Sequence, residues 1–100
     1  MAELFARGVD WAKGQGIPAD RLFMGEFGVI EINAKGDSGA LPEDRNRYLD
    51  DARSLAESYG MAWAYWEYAN PYGMTFIVPT GPAVADETLL APLGLPSAAQ

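Results

Sequence analysis

Two apolar runs with almost no outward polar position, separated by one amphipathic stripe, constrain this chain more than anything else in its sequence. The first is Leu22-Phe23-Met24, closed by Gly25-Glu26-Phe27-Gly28. The second is Met61-Ala62-Trp63-Ala64-Tyr65-Trp66-Glu67-Tyr68, rich in aromatics. Runs of this kind suit strands buried on both faces, as in a parallel sheet. The stripe between them predicts a helix. Pro42 sits near its first turn, and Glu43 and Asp44 are favourable to the dipole there. Tyr48, Leu49, Ala52, Leu55, Ala56 and Tyr59 then fall on one side, and Gly60 is placed as the cap.

The flanks repeat the alternation. Residues 2–14 carry Leu4, Phe5, Val9 and Ala12 roughly on one side, which predicts a helix. Gly14, Gly16 and Pro18 end it. Residues 31–41 hold Asn33, Gly36, Asp37, Ser38 and Gly39, the chemistry of a loop. Asn70-Pro71-Tyr72-Gly73 breaks the second strand, and Pro79, Gly81 and Pro82 make the following stretch loop-rich. A short helix over residues 86–90 precedes Leu93-Gly94-Leu95. Helix, strand, helix, strand, short helix argues for an α/β fold of parallel strands joined by right-handed crossovers. About 40 residues separate Glu26 from Trp66, one βα repeat plus a long loop. One hundred residues make one domain at most.

Composition then narrows the chemistry. The chain has no cysteine and no histidine. A thiolate metal site, a disulfide framework and the His-paired nucleophiles are thereby excluded, so no metal or cofactor is expected. Covalent or acid–base chemistry must fall to tyrosines or to the fourteen carboxylates. A net charge of −7, with seven scattered basic residues, argues against a nucleic-acid partner. No window approaches the roughly 20 apolar residues of a membrane span, so no membrane partner is expected. No signal peptide is visible at the N-terminus.

Strand alternation places Glu26 on the face of Met24 and Leu22, and Trp66 on the face of Ala64 and Ala62, with Trp63 and Tyr65 opposite. Both Glu26 and Trp66 lie at the C-terminal ends of their strands, where barrels of parallel strands keep their active sites. Gly25 and Gly28 would let a substrate or neighbouring backbone approach the carboxylate closely. Trp66 offers a flat apolar face for a sugar ring. Each residue also has a plainer use: Gly-Glu-Phe-Gly as a structural turn, Trp66 as core, Glu67 as a rim residue, and the acidic surplus as a solvated surface.

Three segments in order resemble glycoside hydrolase family 5, the cellulase-like branch of the retaining barrel glycosidases. They are Phe23-Met24-Gly25-Glu26-Phe27-Gly28-Val29; Arg45, Tyr48-Leu49 and Asp51; and Gly60-Met61-Ala62-Trp63-Ala64-Tyr65-Trp66-Glu67-Tyr68. The closing Leu89-Leu90-Ala91-Pro92-Leu93-Gly94-Leu95 looks like the end of such a catalytic domain. The resemblance covers nearly the whole chain and implies the last quarter of a TIM (β/α)8 barrel. Residues 1–95 would be the C-terminal portion of that catalytic domain and 96–100 a disordered tail. It implies Glu26 as the catalytic nucleophile and Trp66 as the substrate-binding platform at the end of the last strand.

The family's acid/base carboxylate comes from an Asn-Glu-Pro segment that this sequence lacks, and a full barrel of roughly 250 residues does not fit in it. The expectation is therefore a fragment of a retaining hydrolase of β-glycosidic bonds, such as those of β-glucan or cellulose, inactive alone. Its partner would be an oligo- or polysaccharide, and a secreted or periplasmic parent is implied by the family. The alternative is a non-catalytic carbohydrate-binding or interaction module built on Trp63, Tyr65, Trp66, Tyr68 and Tyr72. Strands apolar on both faces and unpaired edges also predict self-association.

Overall fold

The computed structural model describes residues 1–70, 73–78 and 81–97. Tyr72 of the aromatic cluster, the loop prolines Pro71 and Pro79, and residues 98–100 of the expected tail lie outside the described residues. The order is helix α1 (Ala2–Gly14), a 3-10 turn (Ala19–Arg21), strand β1 (Phe23–Phe27), helix α2 (Pro42–Ser58), strand β2 (Ala62–Tyr65) and the short helix α3 (Glu87–Leu90). β1 and β2 pair in parallel, as the two apolar runs require. Among the described residues no helix is long and apolar enough to cross a membrane.

Helix boundaries follow local chemistry. Gly60 takes φ 73° just past α2, where its N–H donates to the Glu57 carbonyl at 2.9 Å and the Met61 N–H donates to Ala56 at 2.9 Å. This is the two-bond closure that a left-handed residue permits. At the other end of the chain, the Asp86 carboxylate caps α3 by accepting from the Thr88 N–H at 3.0 Å. The 31–41 loop is held by Asn33, whose Oδ1 accepts from the Gly36 N–H at 2.9 Å while its Nδ2 donates to Asp37 at 2.8 Å.

The core lies between the sheet and α2. Phe27, Leu49, Ala52, Leu89 and Leu93 form it, with Met24, Val29, Trp63, Tyr65 and Phe76 packed around them. The Phe27 ring meets Trp63 and Tyr65 edge-on, with centroids 5.4 and 5.9 Å away. Trp63 and Tyr65 thus share the helix-covered face of β2, as the alternation predicted.

Three expectations need correction. Tyr48 is half exposed and off the buried stripe of α2. Arg45, Leu49, Ala52 and Ala56 make that stripe instead, because the helical spacing that buries Leu49 carries Arg45 under with it. The second strand stops at Tyr65, since the backbone beyond it bonds to its own loop: the Glu67 N–H donates to Met74 at 3.1 Å and the Phe76 N–H to Glu67 at 2.9 Å. Finally, Glu26 does not share the face of Met24. The pairing runs Phe23–Ala62, Met24–Trp63, then Phe27–Tyr65, so β1 carries one extra residue between Met24 and Phe27. That bulge sends Met24 and Phe27 toward the core and leaves Glu26 exposed.

Candidate functional site

The ends of the two strands are joined at one point. The Trp66 N–H donates to the Phe27 carbonyl at 2.7 Å, which continues the ladder one residue past β2. Glu26 therefore stands one residue before this bond on β1, and Trp66 at its donor end. Both are exposed, Trp66 to 44%. The Trp66–Glu67 peptide is cis.

Gly28 makes the close approach possible. A Cβ built there would collide with the Trp66 carbonyl oxygen and lie 2.8 Å from Met74 Cε. Only a residue without a side chain lets the chain leaving β1 run so near the chain leaving β2. The sequence marked this glycine for close approach, and its neighbour is backbone.

The Glu26 carboxylate makes no ion pair or side-chain hydrogen bond with any described residue. Glu67 and Glu31, which follow the two strand ends in sequence, are engaged. Glu67 Oε1 accepts from Asn70 Nδ2 at 3.0 Å, and that amide also donates to the Met74 carbonyl at 2.8 Å. Glu31 is paired with Arg45 at 3.2 Å. A free carboxylate at a strand end, among acids already committed, is chemically available as a nucleophile or base. Among the described residues, no group of three His, Cys, Asp or Glu is placed to hold a metal ion.

Behind the strand ends sits a charged cluster whose role sequence reasoning did not assign. Arg45 is 3% exposed, the one buried charged residue among those described. Besides Glu31, its guanidinium faces Asp86 at 3.6 Å and donates to Thr88 Oγ1 at 3.2 Å and Asn46 Oδ1 at 3.0 Å. It ties the loop after β1 to the N-terminus of α3 across the start of α2. Beyond its place in the family resemblance, the signal in the sequence is its phase: Arg45 precedes Leu49 by four residues on the stripe. Burial pushes the Tyr65 phenol above its usual range; Arg45 opposes this, while Asp86 and Glu31 add to it.

No protein-family model and no curated relative matches the chain. Solved structures do. An endoglucanase is similar at 27% identity and a TM-score of 0.67, over 93% of this chain and 26% of that one. The Clostridial cellulose synthase subunit Z from Clostridioides difficile is similar at 26% identity and a TM-score of 0.73, over 92% and 26%. A hyperthermophilic endo-β-1,4-glucanase, solved in complex with substrate, gives 27% identity and a TM-score of 0.66, over 93% and 26%. The chain spans about a quarter of the length of the structures it matches. Its architecture is thus the α/β arrangement of two parallel strands and helices found within endoglucanase-type, cellulase-like proteins.

Proposed function

We propose that this chain is the nucleophile-bearing part of a retaining glycoside hydrolase of the family 5 type, the last quarter of its (β/α)8 barrel, acting on β-1,4-linked glucan. One observation carries this: an exposed, unpaired Glu26 at the C-terminal end of a parallel strand, one residue from the backbone bond that brings in Trp66. The likeness to endoglucanases supports it.

Glu26 attacks the anomeric carbon; the bond from that carbon to the leaving oxygen breaks, and a glycosyl-enzyme ester forms. Water then releases the sugar with retained configuration. Trp66 stacks against the ring and holds the carbon in line with the carboxylate. The leaving oxygen of a natural glycan needs a proton from a second carboxylic acid, about 5–5.5 Å from the nucleophile. The Asn-Glu-Pro segment that supplies it in the family is not in these 100 residues. The chain by itself is expected to react only with substrates whose leaving group needs no proton.

A dinitrophenyl 2-deoxy-2-fluoro-cellobioside tests this. Its leaving group departs unprotonated, and the fluorine slows release of the ester. Mass spectrometry of peptides is expected to find the label on Glu26. A stable label on another carboxylate removes Glu26 from its role. Titration with cello-oligosaccharides followed by tryptophan fluorescence separates the alternative: saturable binding that survives Glu26→Ala, fails in Trp66→Ala and accompanies no labelling identifies a non-catalytic sugar-binding module.

A further inference from the structure

Each strand end runs into a loop, and the two loops lean on each other. The chain leaving β1 passes Gly28 against the Trp66 carbonyl, and at Glu31 its N–H donates to the Gly73 carbonyl at 3.0 Å. Gly73, in the loop after β2, has φ 91°. It sits so close that a Cβ there would lie 3.3 Å from the Glu31 carbonyl oxygen. That second loop returns through Phe76, whose N–H donates to the Glu67 carbonyl at 2.9 Å and whose carbonyl accepts from the Asp86 N–H at 2.8 Å. Glu31 and Asp86 are thus one acid from each loop, and both reach the same guanidinium.

Arg45 meets them with a geometry that a simpler side chain lacks. Nη1 faces Glu31 Oε2 at 3.2 Å, and Nη2 faces Asp86 Oδ2 at 3.6 Å. Nη2 also donates to Thr88 Oγ1, which in turn donates to Asp86 Oδ1 at 2.6 Å. Nε donates to Asn46 Oδ1 at 3.0 Å. The planar fork fixes several directions at once, whereas an ammonium is a point charge without them. Burying a charge to 3% exposure is costly. An apolar side chain of similar volume would contribute comparable stability, but it would not fix where two separate loops lie.

We propose that Arg45 is the positioning residue of the strand-end site: by holding one acid from each loop, it sets how the chain leaving β1 lies against the chain leaving β2, and so keeps Glu26 and Trp66 at one joined end. The bond from the Trp66 N–H to the Phe27 carbonyl at 2.7 Å reports that arrangement. Arg45 acts through Glu31 and Asp86 and not on a sugar. Its effect on sugar chemistry rests on the function proposed above; its hold on the loops does not.

Amide hydrogen exchange of Arg45→Met tests it. Methionine keeps the apolar stem, so amides inside α2 are expected to exchange as in the parent. Those of Glu31, Trp66 and Phe76 are expected to exchange about tenfold faster, since a lost hydrogen bond to a charged group is worth about that factor in local opening. Arg45→Lys gives the same reading at smaller amplitude, and serves if methionine unfolds α2. The control is Arg53→Met, at the other end of α2, which removes a donor to the Pro92 carbonyl and the pairs with Asp50 and Glu57. It is expected to speed the Leu93 and Leu95 amides and leave Trp66 as it was. A Trp66 amide unmoved by both Arg45 variants, or moved equally by Arg53→Met, overturns the proposal. Labelling of Glu26 by the fluorocellobioside gives a second reading. Its rate at saturating reagent is expected to fall about tenfold in Arg45→Met and to hold in Arg53→Met; equal rates in the two overturn the proposal as well. A parent that takes no label at Glu26 sinks the sugar reading alone, and exchange at Trp66 still decides for or against Arg45.

Discussion

Adding one methyl group at Gly28 or at Gly8 is expected to move stability in opposite directions. At Gly28, the new Cβ would overlap the Trp66 carbonyl oxygen and approach Met74 Cε to 2.8 Å. The methionine tip can swing aside, but the carbonyl belongs to backbone whose N–H is bonded to Phe27 at 2.7 Å. Relief must therefore come from separating the two strand ends. Overpacking of this kind costs about 1–3 kcal/mol, which lowers Tm by roughly 4–8 °C for each kcal/mol in a domain of this size. At Gly8 the same methyl meets nothing within 4 Å, and alanine in mid-helix gains about 0.5–1 kcal/mol. Urea denaturation of both variants, followed by circular dichroism, measures the pair. Under the proposed function, where Trp66 holds the sugar, the Gly28 strain falls on the Trp66 backbone, so Gly28→Ala should also weaken binding of cello-oligosaccharides, whereas Gly8→Ala should not. A Gly28→Ala protein as stable as the parent would refute the close approach, and with it the account of how Glu26 and Trp66 are brought together.

The core and the charged cluster give further expectations. Leu49→Ala empties a fully buried position and is expected to cost about 2–5 kcal/mol, enough to abolish a cooperative urea transition in so thin a core. Arg45→Ala leaves Glu31 and Asp86 without their cation, but both remain partly solvated; the loss should be about 2 kcal/mol by denaturation, below the full cost of breaking a buried pair. Arg47→Ala breaks only the exposed pair with Asp44 and should cost under about 0.5 kcal/mol; equal effects at the two arginines would deny Arg45 its role. Because burial raises the Tyr65 phenol above 10.0, the folded state holds that proton more tightly than the unfolded chain. Its contribution is whole below pH 10.0 and is lost as pH rises through the raised value. Tyr65→Phe should remove that share of the alkaline loss, seen as a flatter dependence of urea midpoint on pH.

The sequence by itself determined the elements and their order. Helical spacing around Leu49 and Ala52, glycine past the end of α2 and two runs apolar on both faces are local signals, and local backbone physics is enough to read them. It also singled out Glu26, Gly28 and Trp66, because glycine-flanked acids and aromatics at strand ends are legible as residue types. What it left undecided depended on partners distant in the chain. The bulge that takes Glu26 off the face of Met24 arises from pairing with β2, and no feature of residues 23–27 alone reveals where an extra residue is absorbed. Arg45 stood out in the sequence only through the family resemblance, and its burial follows from Glu31 and Asp86, which close over it from two separate loops. Strand register and the burial of a charge are set by contacts between segments far apart in sequence, so only the assembled tertiary structure could decide them.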